Sequence, residues 1–512
     1  MNGAESLVHT LLQAGIDTVF ANPGTSEMHF VAALDRIPGM RCVLCLDETV
    51  VTGAADAYYR MTGKPAATLL HCGPGLANGV ANLHNARRAR SGVVNIVGDQ
   101  ATYHRPLDAP LTSNVEGIAR PVSAFVRRTE SAASVGADVA ATVAAARRFP
   151  GQIATLILPA DTAWEEGGVI AQTSAPVAPE TAAQTTIEAA AALLRNGRPT
   201  LLLLGGAALG EVPMRAAWSI ARHCGAKLRL ERSPARLARG RGRVQAERIP
   251  YPIDQGFAVF AGTEQVILIN ATPPVSFFAY PGKRGVLTPE GCEIFVLSTP
   301  EQDATAALAA LAQRLGAPDL PPADPGPRPD APQGAITPEG VAQSLAALMP
   351  EQAIIIDEAI SYGRGFFPGT HAAPPHDWLM LVGGAIGEGI PLAVGAAIGA
   401  PGRRVIALQG DGSAMYSLAG LWTQARERLD VTTIILANRK YAILVGELAG
   451  VGANPGRTAL DMMDLSNPVL DWCQLAGGMG VPAARAASLD ALNVALAASV
   501  ARPGPFLIEL LV

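Results

Sequence analysis

The chain has 512 residues, 49% of them hydrophobic and 16% charged. It can therefore bury large cores, and a prior of about 150 residues per domain gives about three domains. A net charge of −5 gives no reason to expect nucleic acid or a membrane surface as a partner. The start Met1-Asn-Gly-Ala-Glu-Ser lacks the basic flank and apolar run of a signal peptide, and no apolar stretch reaches the ~18–20 residues of a membrane span. Six cysteines do not make a disulfide scaffold. These features predict a cytoplasmic protein.

In chain order, the amphipathic stretch Ala4–Ala14 and a strand over Thr18–Ala21 lead into the loop Asn22-Pro23-Gly24-Thr25-Ser26-Glu27. A second strand, Val43–Leu46, runs through Asp47 into Glu48 and a predicted helix Thr49–Arg60. That helix is built on Gly53, Ala54, Ala55 and Ala57, so it can pack closely. Glu48 at its start is a favourable charge worth about 0.3–1 kcal/mol. Cys42-Val-Leu-Cys45 lies inside the apolar run with no second Cys or Cys/His pair, which argues against a metal site. The strand Ala66–Leu70 ends at His71-Cys72-Gly73-Pro74-Gly75, and a loop histidine is a residue type suited to proton shuttling.

Gly167–Gln184 is rich in Ala, Pro, Thr and Ser and is expected to be a linker. After it, a helix at Thr186–Arg195 and strands at Thr200–Leu204 and Val266–Asn270 predict a middle α/β domain. Gly205-Gly-Ala-Ala-Leu-Gly210 is only loosely dinucleotide-like, because it lacks the GxGxxG spacing and no acidic partner is placed. Arg232, Arg236, Arg239, Arg241, Arg243 and Arg248 are expected in a solvated loop rather than an anion site. Gly316–Gln333, with seven prolines, is a stiff linker. His371 and His376 flank Pro374 and Pro375, a spacing unlike a helical metal pair.

The last part carries the strongest signal. Val405–Leu408 is a short strand, Gly410 and Gly412 permit a sharp turn and close approach of a ligand, and Ser413 is expected to open a helix whose free N–H groups favour an anion. Val431–Leu436 is the next strand, ending at Asn438, 27 positions after Asp411. Strand, helix, strand implies parallel neighbours, so Asp411 and Asn438 emerge together at the carboxyl edge of a sheet. One carboxylate and one amide oxygen suit Mg²⁺, which takes hard oxygen ligands completed by phosphate and water.

The Gly410-Asp411-Gly412 to Asn438 spacing resembles the signature of thiamin diphosphate (ThDP) enzymes. Asn22–Glu27 and the strand Gly15–Phe20 resemble those of benzoylformate decarboxylase, with Thr25 in its NPG-Ser/Thr loop. Gly383-Gly384-Ala385-Ile386-Gly387-Glu388-Gly389-Ile390-Pro391 resembles the loop that supports the bent cofactor. These matches occur in the right order from Gly15 onward, and the chain is similar to benzoylformate decarboxylase and the acetolactate synthase large subunit.

The resemblance implies an α/β chain of three doubly wound parallel-sheet domains: pyrimidine-binding (1–166), middle (185–315) and diphosphate-binding (334–512). It implies that Glu48 bonds the aminopyrimidine ring and shares its proton, which helps the cofactor's 4′-nitrogen deprotonate C2 to the ylid. Gly384 would accept from the 4′-amino group and Ile386 would wedge between the rings. Ser361, Gly410, Gly412 and Ser413 would contact the diphosphate, while Asp411, Asn438 and Lys440 would hold Mg²⁺. Thr25, His71 and Glu447 would handle substrate protons.

The implied reaction is decarboxylation of a 2-oxo acid, followed by protonation to an aldehyde or addition to a second carbonyl. The family's active unit is a homodimer or homotetramer with sites between subunits. FAD, carried by many acetolactate synthases, has no support in this sequence. A flavin-containing oxidase and a non-catalytic ThDP-binding homologue stay open as alternatives. Two departures bear on substrate. Pro274–Tyr280 lacks the second histidine of benzoylformate decarboxylase, and Glu447 stands where acetolactate synthases place a tryptophan.

Overall fold

A computed structural model describes residues 1–512. Seventeen strands fall into three sheets. The first contains β1 (Thr18–Ala21), β2 (Arg41–Leu44), β3 (Ala66–Leu70), β4 (Val93–Asp99), β5 (Phe125–Arg128) and β6 (Ile153–Pro159), in the order β2-β1-β3-β4-β6-β5. All its neighbours are parallel. The second contains β7 (Thr200–Leu204), β8 (Lys227–Leu230), β10 (Gln265–Ile269) and β11 (Glu293–Ser298), also parallel, in the order β11-β10-β7-β8.

The third sheet runs β16-β17-β15-β14-β12-β13-β9. Its parallel strands are β12 (Ile354–Glu358), β13 (His376–Met380), β14 (Val405–Gly410), β15 (Val431–Ala437), β16 (Ala483–Ala486) and β17 (Phe506–Leu511). Strand β9 (Leu237–Arg239) reaches this sheet from the middle of the chain and pairs antiparallel with β13, His376 opposite Arg239. The expected all-parallel layout thus acquires one antiparallel edge strand. No helix or strand lies between Trp164 and Gln184 or between Leu315 and Pro338.

Local sequence accounts for the elements that position the site. β2 ends at Leu44, two residues earlier than expected, because Asp47 leaves the strand and accepts from Thr49 N–H at 2.7 Å. The helix therefore spans Glu48–Thr62. It packs on the helix Gly389–Gly399, where a Cβ on Gly53 would stand 2.5 Å from Pro391 and a Cβ on Gly395 would overlap the Ala54 carbonyl. The small residues permit this approach, and the shared core joins Phe20, Val51 and Leu70 to Ile354, Ile356 and Leu392. Within the same contact Arg60 is buried, 2.5 Å from Asp56 and 3.4 Å from Glu388, and donates to the Met380 carbonyl at 2.8 Å. Burial holds the Glu388 carboxyl well above its ordinary range, with Arg60 opposing.

Candidate active site

A cavity of about 760 Å³ opens at the carboxyl edge of the third sheet, facing the middle of the chain. Ser361, Gly384, Ile386, Gly410, Asp411, Gly412, Ser413, Asn438, Lys440 and Glu447 all line it. Asp411, not Ser413, is the first helical residue after β14. One Asp411 oxygen accepts from Gly412 N–H at 2.8 Å, the other from Arg439 N–H at 2.6 Å. Arg439 takes φ +55°, which folds the loop after β15 back toward Asp411. Burial raises the Asp411 carboxyl above its ordinary value, against these backbone donors. A mostly enclosed carboxylate held by peptide N–H groups, next to the Asn438 amide, is a hard-oxygen donor set that fits Mg²⁺. Asn438 Oδ1 accepts from Lys440 N–H at 3.2 Å. Ser413 Oγ accepts from Gln409 at 2.6 Å and donates to the Gly410 carbonyl at 3.1 Å.

The loop 383–389 is clamped from two sides. Glu358 accepts from Gly387 N–H at 2.6 Å and from Gly389 N–H at 2.5 Å. Asn85, on the helix Cys72–Ala89, donates to the Ala385 carbonyl at 2.7 Å and accepts from Ala385 N–H at 3.1 Å. Gly384 has φ +83°, and a Cβ there would stand 2.6 Å from the Phe277 ring. Its carbonyl accepts no hydrogen bond from the chain, so it is free for a donor on a ligand.

Glu447 sits on the helix Ala442–Gly450 and lines the cavity. Tyr251 donates to it at 3.1 Å and Tyr280 at 3.0 Å. Neither tyrosine carried a signal in the sequence, being 196 and 167 residues away.

Glu48, His71 and Thr25 lie elsewhere. Glu48 is buried at the start of its helix and accepts from Asn78 at 3.1 Å. A Cβ on Gly75 would stand 2.7 Å from Glu48 Oε1 and 3.3 Å from His71 Cβ, so this glycine allows the two side chains to flank one point. His71 and Thr25 line a separate cavity of about 340 Å³. Glu27, which sequence reasoning did not single out, lies 3.0 Å from His71 Nδ1 and accepts from Gly24 N–H at 2.7 Å. Its carboxylate orients the imidazole. Burial pushes the neighbouring Cys72 thiol up to about 11, so this cluster offers no thiolate. The structure therefore gathers the third-sheet residues around the larger cavity and places His71 and Thr25 on the smaller one, while Glu48 lines neither of these two cavities.

Two expectations for the middle of the chain are corrected. The arginine cluster is not a solvated loop: Arg239 is buried in β9, with its guanidinium 3.7 Å from the Phe367 ring centre and 4.9 Å from that of Trp378. Arg236 pairs with Asp377 at 3.2 Å, and Arg232 and Arg248 line the large cavity. Guanidinium planes stack on aromatic rings, which makes such burial tolerable.

The Gly205–Gly210 loop also has the acidic neighbour not placed from sequence. Glu231, following β8, accepts from Gly206 N–H at 3.0 Å. The residue keeps some solvent access, but its carboxyl is enclosed and burial raises it to about 7. Because the folded carboxyl binds its proton more tightly than the unfolded one, its stabilising contribution is present below about 4.5 and lost as pH rises to about 7. We expect Glu231→Gln to flatten the fall in thermal stability across that window, by at most ~3 kcal/mol. Melting curves from pH 4 to 8 on both proteins check it, and parallel curves would refute it.

The fold and the turn at the edge of the third sheet mark the class, an α/β enzyme with a diphosphate cofactor. Comparison with known proteins agrees. The family model "Thiamine pyrophosphate enzyme, N-terminal TPP binding domain" matches residues 1–117, and "Thiamine pyrophosphate enzyme, C-terminal TPP binding domain" matches residues 366–510. A Mycobacterium tuberculosis protein named for the acetolactate synthase large subunit, IlvX, is 50% identical, covering 100% of this chain and 99% of its own length. Benzoylformate decarboxylase of Pseudomonas aeruginosa is 30% identical, covering 98% and 96%. The solved structure of a ThDP-dependent 4-hydroxybenzoylformate decarboxylase from Rhodococcus jostii RHA1 superposes with a TM-score of 0.87 at 22% identity, over 99% of this chain and 98% of that one. The chain belongs to the thiamine pyrophosphate enzyme family and is similar to its acetolactate synthase and benzoylformate decarboxylase members. No helix is long and apolar enough to cross a membrane.

Proposed function

We propose that this chain is a ThDP- and Mg²⁺-dependent enzyme that removes CO₂ from a 2-oxo acid. The carbon left behind is protonated to an aldehyde or joined to a second carbonyl as a 2-hydroxyketone. The observation that carries the reading is one cavity wall holding Asp411 and Asn438 together with Gly384 and Ile386. Asp411, Asn438 and the Lys440 carbonyl would hold Mg²⁺, and Ser361 with the Gly410–Ser413 turn would take the diphosphate. Ile386 would support the bend, with Gly384 and Glu48 on the aminopyrimidine. Bound there, ThDP supplies a nucleophilic carbon and a sink for the electrons released with CO₂. His71, oriented by Glu27, would carry protons at the substrate oxygen, and Thr25 would bind beside it.

Separation of the two half-sites within one chain supports a homodimer as the smallest active unit, Glu48 of one copy meeting Asp411 of another. A flavin-containing oxidase is not favoured, because Gly205–Gly210 lacks the GxGxxG spacing and its Gly206 N–H already donates to Glu231.

The test is to incubate the protein with Mg²⁺ and ThDP, offer pyruvate, benzoylformate and branched 2-oxo acids, and follow CO₂ and organic products together. CO₂ with aldehyde or hydroxyketone is expected from at least one of them. A flavin absorbance band on purification with oxygen consumption, or no binding of ThDP, would overturn the reading.

A further inference from the structure

The contacts of Glu447 carry one step more, which rests on the reaction proposed above. The helix Ala442–Gly450 has no buried residue, and Leu444 and Val445 are 44% and 38% exposed. Apolar packing therefore does little to fix its position. The polar ties are those of Glu447: Tyr251 OH to Oε1 at 3.1 Å, and Tyr280 OH to Oε1 at 3.3 Å and Oε2 at 3.0 Å. Both tyrosines come from the middle of the chain. Burial, then the Glu447 charge, raises the Tyr251 phenol, and burial raises that of Tyr280 with the same carboxylate adding to it, so both stay protonated donors. The Tyr251 ring in turn packs on Phe277 at 5.4 Å, and Phe277 covers Gly384. These contacts hold a carboxylate on the wall of the cavity that contains Gly384 and Ile386.

We propose that Glu447, held by Tyr251 and Tyr280 as positioning residues, selects the acceptor: it excludes a second 2-oxo acid and admits a proton or an uncharged carbonyl compound. When CO₂ leaves the donor, its bonding electron pair remains on the former carbonyl carbon. That pair forms either a C–H bond with a proton, giving an aldehyde, or a C–C bond with a second carbonyl carbon, whose oxygen then takes the proton. The donor's own carboxylate has by then left as CO₂, whereas a second 2-oxo acid would bring a new carboxylate up against Glu447, where two like charges repel at short range although Arg232, Arg248 and Arg364 line the same cavity. A neutral aldehyde brings none. Product discrimination therefore rests on a charge whose position is fixed by two phenols rather than by the helix that bears it.

The ThDP- and Mg²⁺-loaded enzyme tests this with pyruvate as donor, with and without added benzaldehyde, and with acetolactate, acetaldehyde and mixed hydroxyketone quantified per CO₂ released. Wild type is expected to favour acetaldehyde and the benzaldehyde adduct over acetolactate. Glu447→Gln, which keeps the acceptor atom for the phenols, is expected to raise acetolactate per CO₂ at least tenfold. Tyr251→Phe with Tyr280→Phe is expected to move the ratio the same way by a smaller factor, and Glu447→Asp to restore part of the wild-type ratio.

Unchanged product ratios per CO₂ in Glu447→Gln overturn the proposal, as does a wild type that already makes mainly acetolactate. Benzoylformate replaces pyruvate as donor if pyruvate releases no CO₂, with pyruvate then offered only as acceptor. No CO₂ from either donor in any variant overturns the proposal together with the decarboxylase reading, whereas CO₂ release with unmoved ratios overturns the acceptor role alone.

Discussion

Asp411→Asn is expected to weaken ThDP binding in the presence of Mg²⁺ by at least ~100-fold and to lower CO₂ release to background at ordinary cofactor concentrations. The magnitude follows from the donor set. Residues that only orient a ligand of a metal typically cost about 10–100-fold in affinity when changed, and a direct anionic ligand costs at least that. Asp411 is the one carboxylate in the strand β14 turn, and its two oxygens already satisfy Gly412 N–H and Arg439 N–H. Asparagine has one acceptor oxygen, so a buried N–H loses its partner as well, and the Arg439 turn at φ +55° loses one of its ties. Removing a carboxylate whose burial raises it also relieves a cost in the metal-free protein. The two effects oppose each other, so the metal-free variant is expected to melt close to wild type, while the gain in melting temperature on adding Mg²⁺ and ThDP disappears. Calorimetric titration of ThDP with and without Mg²⁺, set beside the melting curves, reads both effects. Tight, Mg²⁺-dependent ThDP binding by the variant would remove Asp411 from the site.

What the sequence made legible was local. The turn after β14 shows itself because glycines at 410 and 412 bracket an acid at the end of an apolar run. The close helix pair shows itself because Gly53, Ala54 and Ala57 have no other use. Longer-range chemistry left no such trace. His71 takes its partner Glu27 from 44 residues away. Glu447 takes both phenols from loops in the middle of the chain, and a tyrosine in a loop reads the same whether it bonds a carboxylate or faces water. The arginine cluster misled for a physical reason: spacing reports charge, whereas the burial of Arg239 depends on the rings of Phe367 and Trp378, far away in the chain. Strand β9 was hidden because three residues with arginine at one end carry no hydrophobic period, and only the edge of β13 gives them a partner.

The second large effect concerns Glu48. Glu48→Gln is expected to leave ThDP and Mg²⁺ bound within a few-fold of wild type, because the metal and diphosphate residues belong to the turns after β12, β14 and β15 and Glu48 is not among them. Turnover should fall by about 10²–10⁴, the usual contribution of a positioned proton-transfer group. The amide keeps the size of the side chain and an acceptor for Asn78, 3.1 Å away, but cannot exchange a proton with the pyrimidine. Loss of deuterium exchange at C2 of bound ThDP, followed by proton NMR, separates failed activation from failed binding. Normal exchange in the variant would remove Glu48 from that role.

Mixing gives a sharper result. If each site takes Glu48 from one copy and Asp411 from another, a hybrid of Glu48→Gln and Asp411→Asn subunits contains one site with both changes and one with neither. Two nearly inactive proteins, unfolded and refolded together in equal amounts, should then recover about one quarter of wild-type activity, since random pairing makes half the dimers hybrid and half of each hybrid's sites intact. Sites built within single chains would recover nothing. The outcome decides whether the gap between the two cavities is a property of the isolated chain or the seam along which the active enzyme is assembled.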